Sequence, residues 1–221
     1  MGDRASKDAL FAQFAAVGKV LGHPKRLELL DLLIQGPRSV EGLAEAADLG
    51  MSTCSAHLQT LRDAGVVEAR RDGRRIFYSL VGDDIAGLWD HLRRVAQLHR
   101  PHTELARRAY LGPEDTRAVD TDELMRRLAD GDAVVLDVRP EPEYAAGHLP
   151  GAIHIPLEEL AARIGELPRN HEIVAYCRGH YCVLAHDAVR LLNAEGLAAS
   201  RAVDGVLEWR LAGVPIEAGA A

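Results

Sequence analysis

Two of the chain's three cysteines stand five residues apart, in Val174-Ala175-Tyr176-Cys177-Arg178-Gly179-His180-Tyr181-Cys182-Val183-Leu184-Ala185. The apolar run Ile173 to Tyr176 reads as a buried strand, the polar stretch after it as a loop, and the apolar spacing from Cys182 onward as a helix. This strand-loop-helix order puts Cys177 at the strand's carboxyl end, where loop N–H groups and a helix N-terminus converge. Such dipoles favour negative charge, so the expectation is a lowered thiol pKa and a nucleophilic thiolate at Cys177. Arg178 adds a nearby cation. The loop is completed by Gly179, His180 and Tyr181, of which His180 and Tyr181 either orient and shield an adduct or simply line the loop. Cys182 is either a resolving thiol that bridges to Cys177 or a small residue at a helix start. A bridge requires the two α-carbons to come within about 7 Å.

Three further stretches share the half of the chain that must position this loop. Val134-Val135-Leu136-Asp137-Val138-Arg139 is a strand ending in Asp-x-Arg. Glu143-Tyr144-Ala145-Ala146-Gly147-His148-Leu149-Pro150-Gly151-Ala152-Ile153-His154-Ile155-Pro156 is a Gly/Pro-punctuated segment, and Asp204-Gly205-Val206-Leu207-Glu208-Trp209 is a glycine turn before a last helix. In this order they resemble the rhodanese family of sulfurtransferases over most of residues 119–218. The resemblance implies that Cys177 carries a persulfide and passes sulfur to a nucleophile, and that Asp137, Arg139, His148 and His154 are mainly structural. Rhodanese loops count six residues from the cysteine, and here the sixth is Cys182. The related Cys-x5-Arg phosphatases need arginine seventh, where this chain has Val183, which argues against phosphate chemistry. Many rhodaneses end the loop with a basic residue suited to an anionic donor, and Cys182 stands in that place.

The first half offers different chemistry. Arg70, Arg71, Arg74 and Arg75 crowd a turn within six residues, suited to gripping phosphates or entering a minor groove. Helical patterns run over Ala9–Leu21, Arg26–Ile34, a third stretch capped by Ser39, and Ser52–Ala64, with Leu49-Gly50 as the turn between the last two. Val66 to Leu80 reads as a hairpin, and a long helix follows from about Asp83. On the fourth helix Cys54, Leu58 and Leu61 share an inward face. Cys54 there is either a small buried hydrophobe or a sensor. The opposite face shows Ser52, Thr53, Ala56, Gln59 and Thr60, short polar groups plus a glutamine able to pair with an adenine edge. This is a winged helix-turn-helix pattern. Leu21-Gly22-His23-Pro24-Lys25-Arg26-Leu27-Glu28-Leu29-Leu30, Ser55-Ala56-His57-Leu58-Gln59-Thr60-Leu61-Arg62-Asp63-Ala64-Gly65-Val66-Val67 and the wing end Ile76-Phe77-Tyr78 resemble the ArsR/SmtB family of small dimeric repressors over about residues 8–100. The resemblance implies operator DNA as partner and a homodimer through the first and last helices of this domain. The apolar stripe Ile85, Leu88, Trp89, Leu92, Val95 and Ala96 fits that role.

Some members of that family bind zinc near the dimer helix, but no metal site is assigned here. His91 and His102 lack companion carboxylates, since residue 89 is Trp and residue 105 is Leu, and Leu43-Ala44-Glu45-Ala46 holds no thiol. No cofactor is expected either.

At 221 residues the chain holds two modest cores. The fold expected is a mostly α winged helix-turn-helix followed by an α/β rhodanese-like domain with a parallel sheet and helices on both faces. The domains are residues 1–112, a linker at 113–118, and residues 119–221. The net charge of −7 conceals an asymmetry, with 16 basic and 14 acidic residues in 1–112 against 10 and 19 in 113–221. Absence of a long apolar run or signal segment points to no membrane and a cytoplasmic place, where three cysteines favour redox or catalytic use over structural disulfides. Two readings of function follow. One is a transcriptional regulator, a repressor by family habit, whose rhodanese domain senses a small sulfur donor or oxidant through Cys177 and Cys182. The other is a sulfurtransferase tethered to a DNA-binding module. A metal-responsive repressor is the third and weakest.

Overall fold

The structure is a computed structural model that describes residues 3–219. It divides into two compact units between Arg93 and Arg94.

In the first unit, α1 (Arg4–Leu21) leads to α2 (Pro24–Ile34). Pro24 opens α2 in the first turn, where its missing N–H costs nothing, and His23 Nδ1 accepts from Lys25 N at 3.2 Å. Leu29, Leu30, Leu32, Leu33 and Ile34 are all buried on it. A short strand β1 (Arg38–Ser39) precedes α3 (Val40–Ala46), whose first turn is capped by Ser39 Oγ accepting from Gly42 N at 3.1 Å. The turn into α4 (Met51–Asp63) differs from the sequence reading. The left-handed residue is Asp48, at φ 49°, while Gly50 sits at φ −64° as the cap of α4. An aspartate tolerates that region by local hydrogen bonding, so the turn does not draw on the glycine.

Strands β2 (Val67–Asp72) and β3 (Arg75–Leu80) form the hairpin, with Asp72 opposite Arg75 and Gly73-Arg74 as a two-residue loop. Gly73 alone in that loop has positive φ, 59°, as a turn with glycine at its first central position requires. Strand β1 adds to β3 through Arg38↔Tyr78 and Ser39↔Phe77. The core joins Leu29, Leu30, Leu43, Cys54, Leu58, Leu61, Val66 and Tyr78. Helix α5 (Asp83–His99) starts in this unit, where Trp89 Nε1 donates to Asp31 Oδ1 at 3.0 Å. Helix α1 buries almost nothing: Leu10, Phe11 and Phe14 are 53%, 57% and 61% exposed.

The second unit contains α6 (Pro101–Leu111), β4 (Ala118–Val119), α7 (Thr121–Asp130), β5 (Ala133–Asp137), α8 (Glu141–Ala146), β6 (Ile153–His154), α9 (Leu157–Arg163), β7 (Glu172–Tyr176), α10 (Val183–Ala194), β8 (Ala199–Ala202) and α11 (Val206–Leu211). The five strands form one parallel sheet in the order β4-β8-β7-β5-β6. Both faces are covered, which explains strands as continuously apolar as Ile173–Tyr176. Ile173 and Ala175 pack with Leu160 of α9 and Ala185, Ala188 and Val189 of α10. Val174 and Tyr176 pack with Leu124 of α7 and Val206 and Trp209 of α11. Among the described residues, no helix is long and apolar enough to cross a membrane.

Candidate functional site

Strand β7 delivers Cys177 to the carboxyl edge of the sheet, and the loop closes at Cys182, the N-cap of α10. The loop curls on itself. Cys182 N donates to Gly179 O at 3.1 Å, and Gly179 takes φ 116°, a region that side chains rarely adopt. Both thiols are buried, Cys177 3% and Cys182 8% exposed, and Cys177 Sγ donates to the Cys182 carbonyl at 3.5 Å.

The two thiols shift in opposite directions, and Cys177 not in the direction the sequence reading expected. Burial, followed by the hydrogen bond and charge of Cys182, pushes the Cys177 thiol well above its ordinary value, against the N–H groups of Ala185 and Gly179. The hydrogen bond from Cys177 holds Cys182 below its ordinary value despite burial, with help from the charge of Arg178. Of the two thiols, Cys182 is therefore the more readily ionised. The converging dipoles exist, but desolvation of a fully enclosed sulfur outweighs them at Cys177. Arg178 also acts differently: its guanidinium forks onto Glu143, Nε to Oε2 at 2.8 Å and Nη2 to Oε1 at 2.6 Å, and its field reaches Cys182 rather than Cys177.

The walls of the loop come from distant segments. Gly205, before α11, lies so close that a β-carbon on it would stand 2.4 Å from Gly179 N and 2.6 Å from Cys177 O. Glu208 Oε2 accepts from Gly205 N at 2.9 Å, and its carboxylate lies over Gly179. His180 Nε2 stands 3.4 Å from Asp204 Oδ1, and Asp204 Oδ2 accepts from Thr121, whose hydroxyl accepts from Trp209 Nε1 at 2.9 Å. The Tyr181 hydroxyl accepts a short hydrogen bond from Gln97 Nε2, near the end of α5. Glu143, Gly205 and Glu208 lie inside the quoted motifs, so a signal for them existed. Gln97 carried none.

Asp137 and Arg139 form a fully buried ion pair at 2.6 Å, with Arg139 Nη2 also donating to Gly147 O at 2.6 Å. Tyr144 is stacked between His148 and His154, at centroid distances of 3.8 and 4.2 Å. An apolar cleft of about 280 Å³ opens at the same edge of the sheet, lined by Val138, Pro140, Pro156, Leu157, Glu158 and Leu184.

In the first unit α4 turns Cys54, Leu58 and Leu61 inward and leaves Ser52, Thr53, Ala56, Gln59 and Thr60 exposed. Thr60 Oγ1 donates back to Ala56 O at 2.9 Å, so its hydroxyl proton is already used. Arg70, Arg71, Arg74 and Arg75 are all exposed at the hairpin. Cys54 is fully buried, and burial raises its thiol pKa. His91, His99 and His102 are exposed.

Comparison with known proteins matches both units. Residues 21–70 match the family described as a helix-turn-helix domain, and residues 120–212 the family described as a rhodanese-like domain. The HTH-type transcriptional regulator Rv0324 of Mycobacterium tuberculosis is 49% identical over 220 residues, 99% of this chain and 96% of that protein. A sulfurtransferase of Allochromatium vinosum is 32% identical over 108 residues, 45% of this chain and 94% of that protein. The solution structure of a homodimeric winged helix-turn-helix DNA-binding domain from Mycobacterium bovis, a possible ArsR-family regulator, is 45% identical. It covers 46% of this chain and 94% of that one, with a TM-score of 0.43.

Proposed function

Since the chain belongs to the HTH-type transcriptional regulators, with a C-terminal rhodanese-like domain, we propose that its cysteine loop is a sulfur sensor controlling a DNA-bound dimer. The observation that carries this reading is the pair of buried thiols in one curled loop, with Cys177 Sγ donating to the Cys182 carbonyl at 3.5 Å. A loop built for turnover gains little from a second thiol that captures its own persulfide, whereas a switch gains a stable second state.

The chemistry uses the more readily ionised Cys182 as the base. Cys177 yields its proton to Cys182 and attacks the sulfane sulfur of a polysulfide, forming a Cys177 persulfide and expelling the shortened polysulfide anion. Attack by Cys182 on Cys177 Sγ, its proton passing to the outer sulfur of the persulfide anion, then breaks the persulfide S–S bond, forms the Cys177–Cys182 disulfide and releases hydrosulfide. Closing that bridge displaces Tyr181, which immediately precedes Cys182. Its hydrogen bond to Gln97 gives the loop a handle on α5. A change in DNA affinity needs only a few kcal/mol of difference between the two states.

On the DNA side, residues 1–112 form the binding and dimerisation domain, 113–118 the linker and 119–221 the sensor. The exposed residues Ser52, Thr53, Ala56 and Gln59 of α4 face the major groove, and Arg70, Arg71, Arg74 and Arg75 hold phosphates. Helix α1 is long, with Leu10, Phe11 and Phe14 in water. Helices in proteins draw most of their stability from packing an apolar face, so a second copy of the chain covers it.

The deciding experiment measures DNA affinity of the reduced protein before and after polysulfide, in wild type, Cys177→Ser and Cys182→Ser, with intact mass on the same samples. Loss of the response in both variants supports the two-thiol sensor. If wild-type affinity is unmoved while Cys177 gains sulfur, sensing fails. The second reading, a sulfurtransferase tethered to DNA, then takes over, and the relative from Allochromatium vinosum favours it.

A further inference from the structure

Two residues lining the apolar cleft of about 280 Å³ at the sheet edge are immediate neighbours of the thiols. One is Val138. Strands β5 and β7 pair as far as Asp137 opposite Tyr176, and Val138 N donates to Tyr176 O at 3.3 Å, so Val138 leaves the sheet alongside Cys177. Neighbouring strands stand about 4.8 Å apart. Residues two apart on a strand face one way. Leu136, Val138, Ala175 and Cys177 accordingly join one apolar cluster, which also holds Cys182. Cys177 therefore points to the cleft's side of the sheet. The other neighbour is Leu184, in the first turn of α10 and two residues past Cys182. Its N–H is among the groups that lower the Cys182 thiol.

The remaining walls are Pro140, Pro156 and Leu157, and Leu157 N donates to Val138 O at 3.1 Å. Proline fixes its own φ, so this rim is preformed. The volume lies just under the usual ~300–1,000 Å³ of ligand pockets and suits a short hydrocarbon arm. The one charged lining residue is Glu158, which is exposed and has no ion-pair partner among the described residues. The loop's cation, Arg178, is forked onto Glu143. An anionic arm would meet an unpaired carboxylate at this rim, whereas a neutral alkyl arm meets hydrocarbon and leaves water.

We propose that this cleft seats the alkyl arm of a neutral organic polysulfide, R–S–S–S–R, and so selects which sulfur donor reaches the thiols. The assignment rests on the reading of Cys177 and Cys182 as a sulfur-reactive pair. Cys177 gives its proton to Cys182 and attacks one outer sulfur of the trisulfide. The mixed disulfide Cys177–S–S–R forms, the adjoining S–S bond breaks, and the perthiolate R–S–S⁻ leaves. Cys182 then attacks Cys177 Sγ and closes the Cys177–Cys182 disulfide, its proton passing to the departing sulfur, which leaves as R–SH. The two cysteines are oxidised by two electrons, and the trisulfide is reduced to one perthiolate and one thiol.

The test uses the full chain carrying Cys182→Ser, so that reaction stops at the Cys177 mixed disulfide and the added mass identifies R–S. Dimethyl, diethyl and dipropyl trisulfide are compared, each rate divided by that of free cysteine to remove intrinsic reactivity. The ratio should rise about fourfold per methylene, the worth of burying one CH₂. Leu184→Asn should flatten the series. Leu157→Asn, on another wall, should do the same, and it decides the matter if the first variant does not fold. Glu158→Lys should speed a trisulfide with carboxylate-tipped arms several-fold relative to the dipropyl compound. A flat series in the parent, or an undiminished slope in a folded leucine variant, overturns the seat. So does labelling of Cys177 by inorganic polysulfide but by none of the trisulfides, which leaves the sensor intact. Failure of the sensing function looks different: labelling of Cys177 still depends on the arm, while wild-type DNA affinity ignores dipropyl trisulfide.

Discussion

Replacing Gly205 by alanine should disable the cysteine loop without touching any side chain that reacts. Gly205 has φ −130°, an ordinary extended value, so alanine is conformationally allowed and the effect is purely steric. The added β-carbon would stand 2.4 Å from Gly179 N, 2.5 Å from Arg178 C and 2.6 Å from Cys177 O, whereas ordinary contact begins at 3.4 Å. All three are backbone atoms, so no side chain can swing away, and relief requires the loop or the turn before α11 to retreat by about 1 Å. Overpacking of this kind costs about 1–3 kcal/mol, or a fall of roughly 4–24 °C in the unfolding midpoint of a domain this size. A shift of that size also breaks the contact between Cys177 Sγ and the Cys182 carbonyl, which stands at 3.5 Å. The assay is thermal unfolding followed through buried Trp209, together with the alkylation rate of Cys177 read by peptide mass. Gly165→Ala is the control, since a β-carbon there meets nothing within 4 Å. If Gly205→Ala unfolds with its parent and Cys177 alkylates at the parental rate, the tight seat of the loop on Gly205 is wrong.

Other consequences are open to measurement. Converting Arg74 and Arg75 to glutamine should weaken binding to specific and random DNA alike, and flatten the dependence of log affinity on log salt by about 2, near 0.9 per lost phosphate contact; an unchanged slope removes the hairpin from the interface. Tyr181→Phe should take up polysulfide sulfur as wild type does but show a smaller change in DNA affinity, because the hydroxyl that accepts from Gln97 is gone. A full response would close that route. Cys182→Ser removes the hydrogen bond and charge that raise Cys177 but leaves its burial, so the pH profile of Cys177 alkylation should move to lower pH while staying above that of an ordinary thiol. No movement would mean that burial alone sets it. Phe11→Ser combined with Phe14→Ser should shift sedimentation toward monomer, and a dimer of undiminished strength would place the interface elsewhere.

Local pattern made much of this protein legible. The alternation of strand and helix, the capping Ser39, the glycine of the hairpin and the inward row Cys54, Leu58, Leu61 follow from spacing, because backbone hydrogen bonds and burial repeat with fixed periods along the chain. The same logic placed Cys177 at a strand end with Cys182 at a helix start. Local pattern placed the αα turn at Leu49-Gly50, between the two helices, but did not mark Asp48 as its left-handed residue. The state of the site was decided by partners far off in sequence. Arg178 looked like the activating cation until Glu143, thirty-five residues earlier, claimed it. The Cys177 thiol is held above its ordinary value and that of Cys182 below it, because enclosure from all sides, which no neighbour in the chain records, costs Cys177 more than the loop dipoles return. Gly205 against the loop, Gln97 on Tyr181 and Val138 alongside Cys177 exist only once the sheet order is set. Residue type and period determine which groups are present and which way they face along one element; which charge is neutralised, which sulfur is dry and which cleft borders it depend on packing between elements, and that is a property of three dimensions alone.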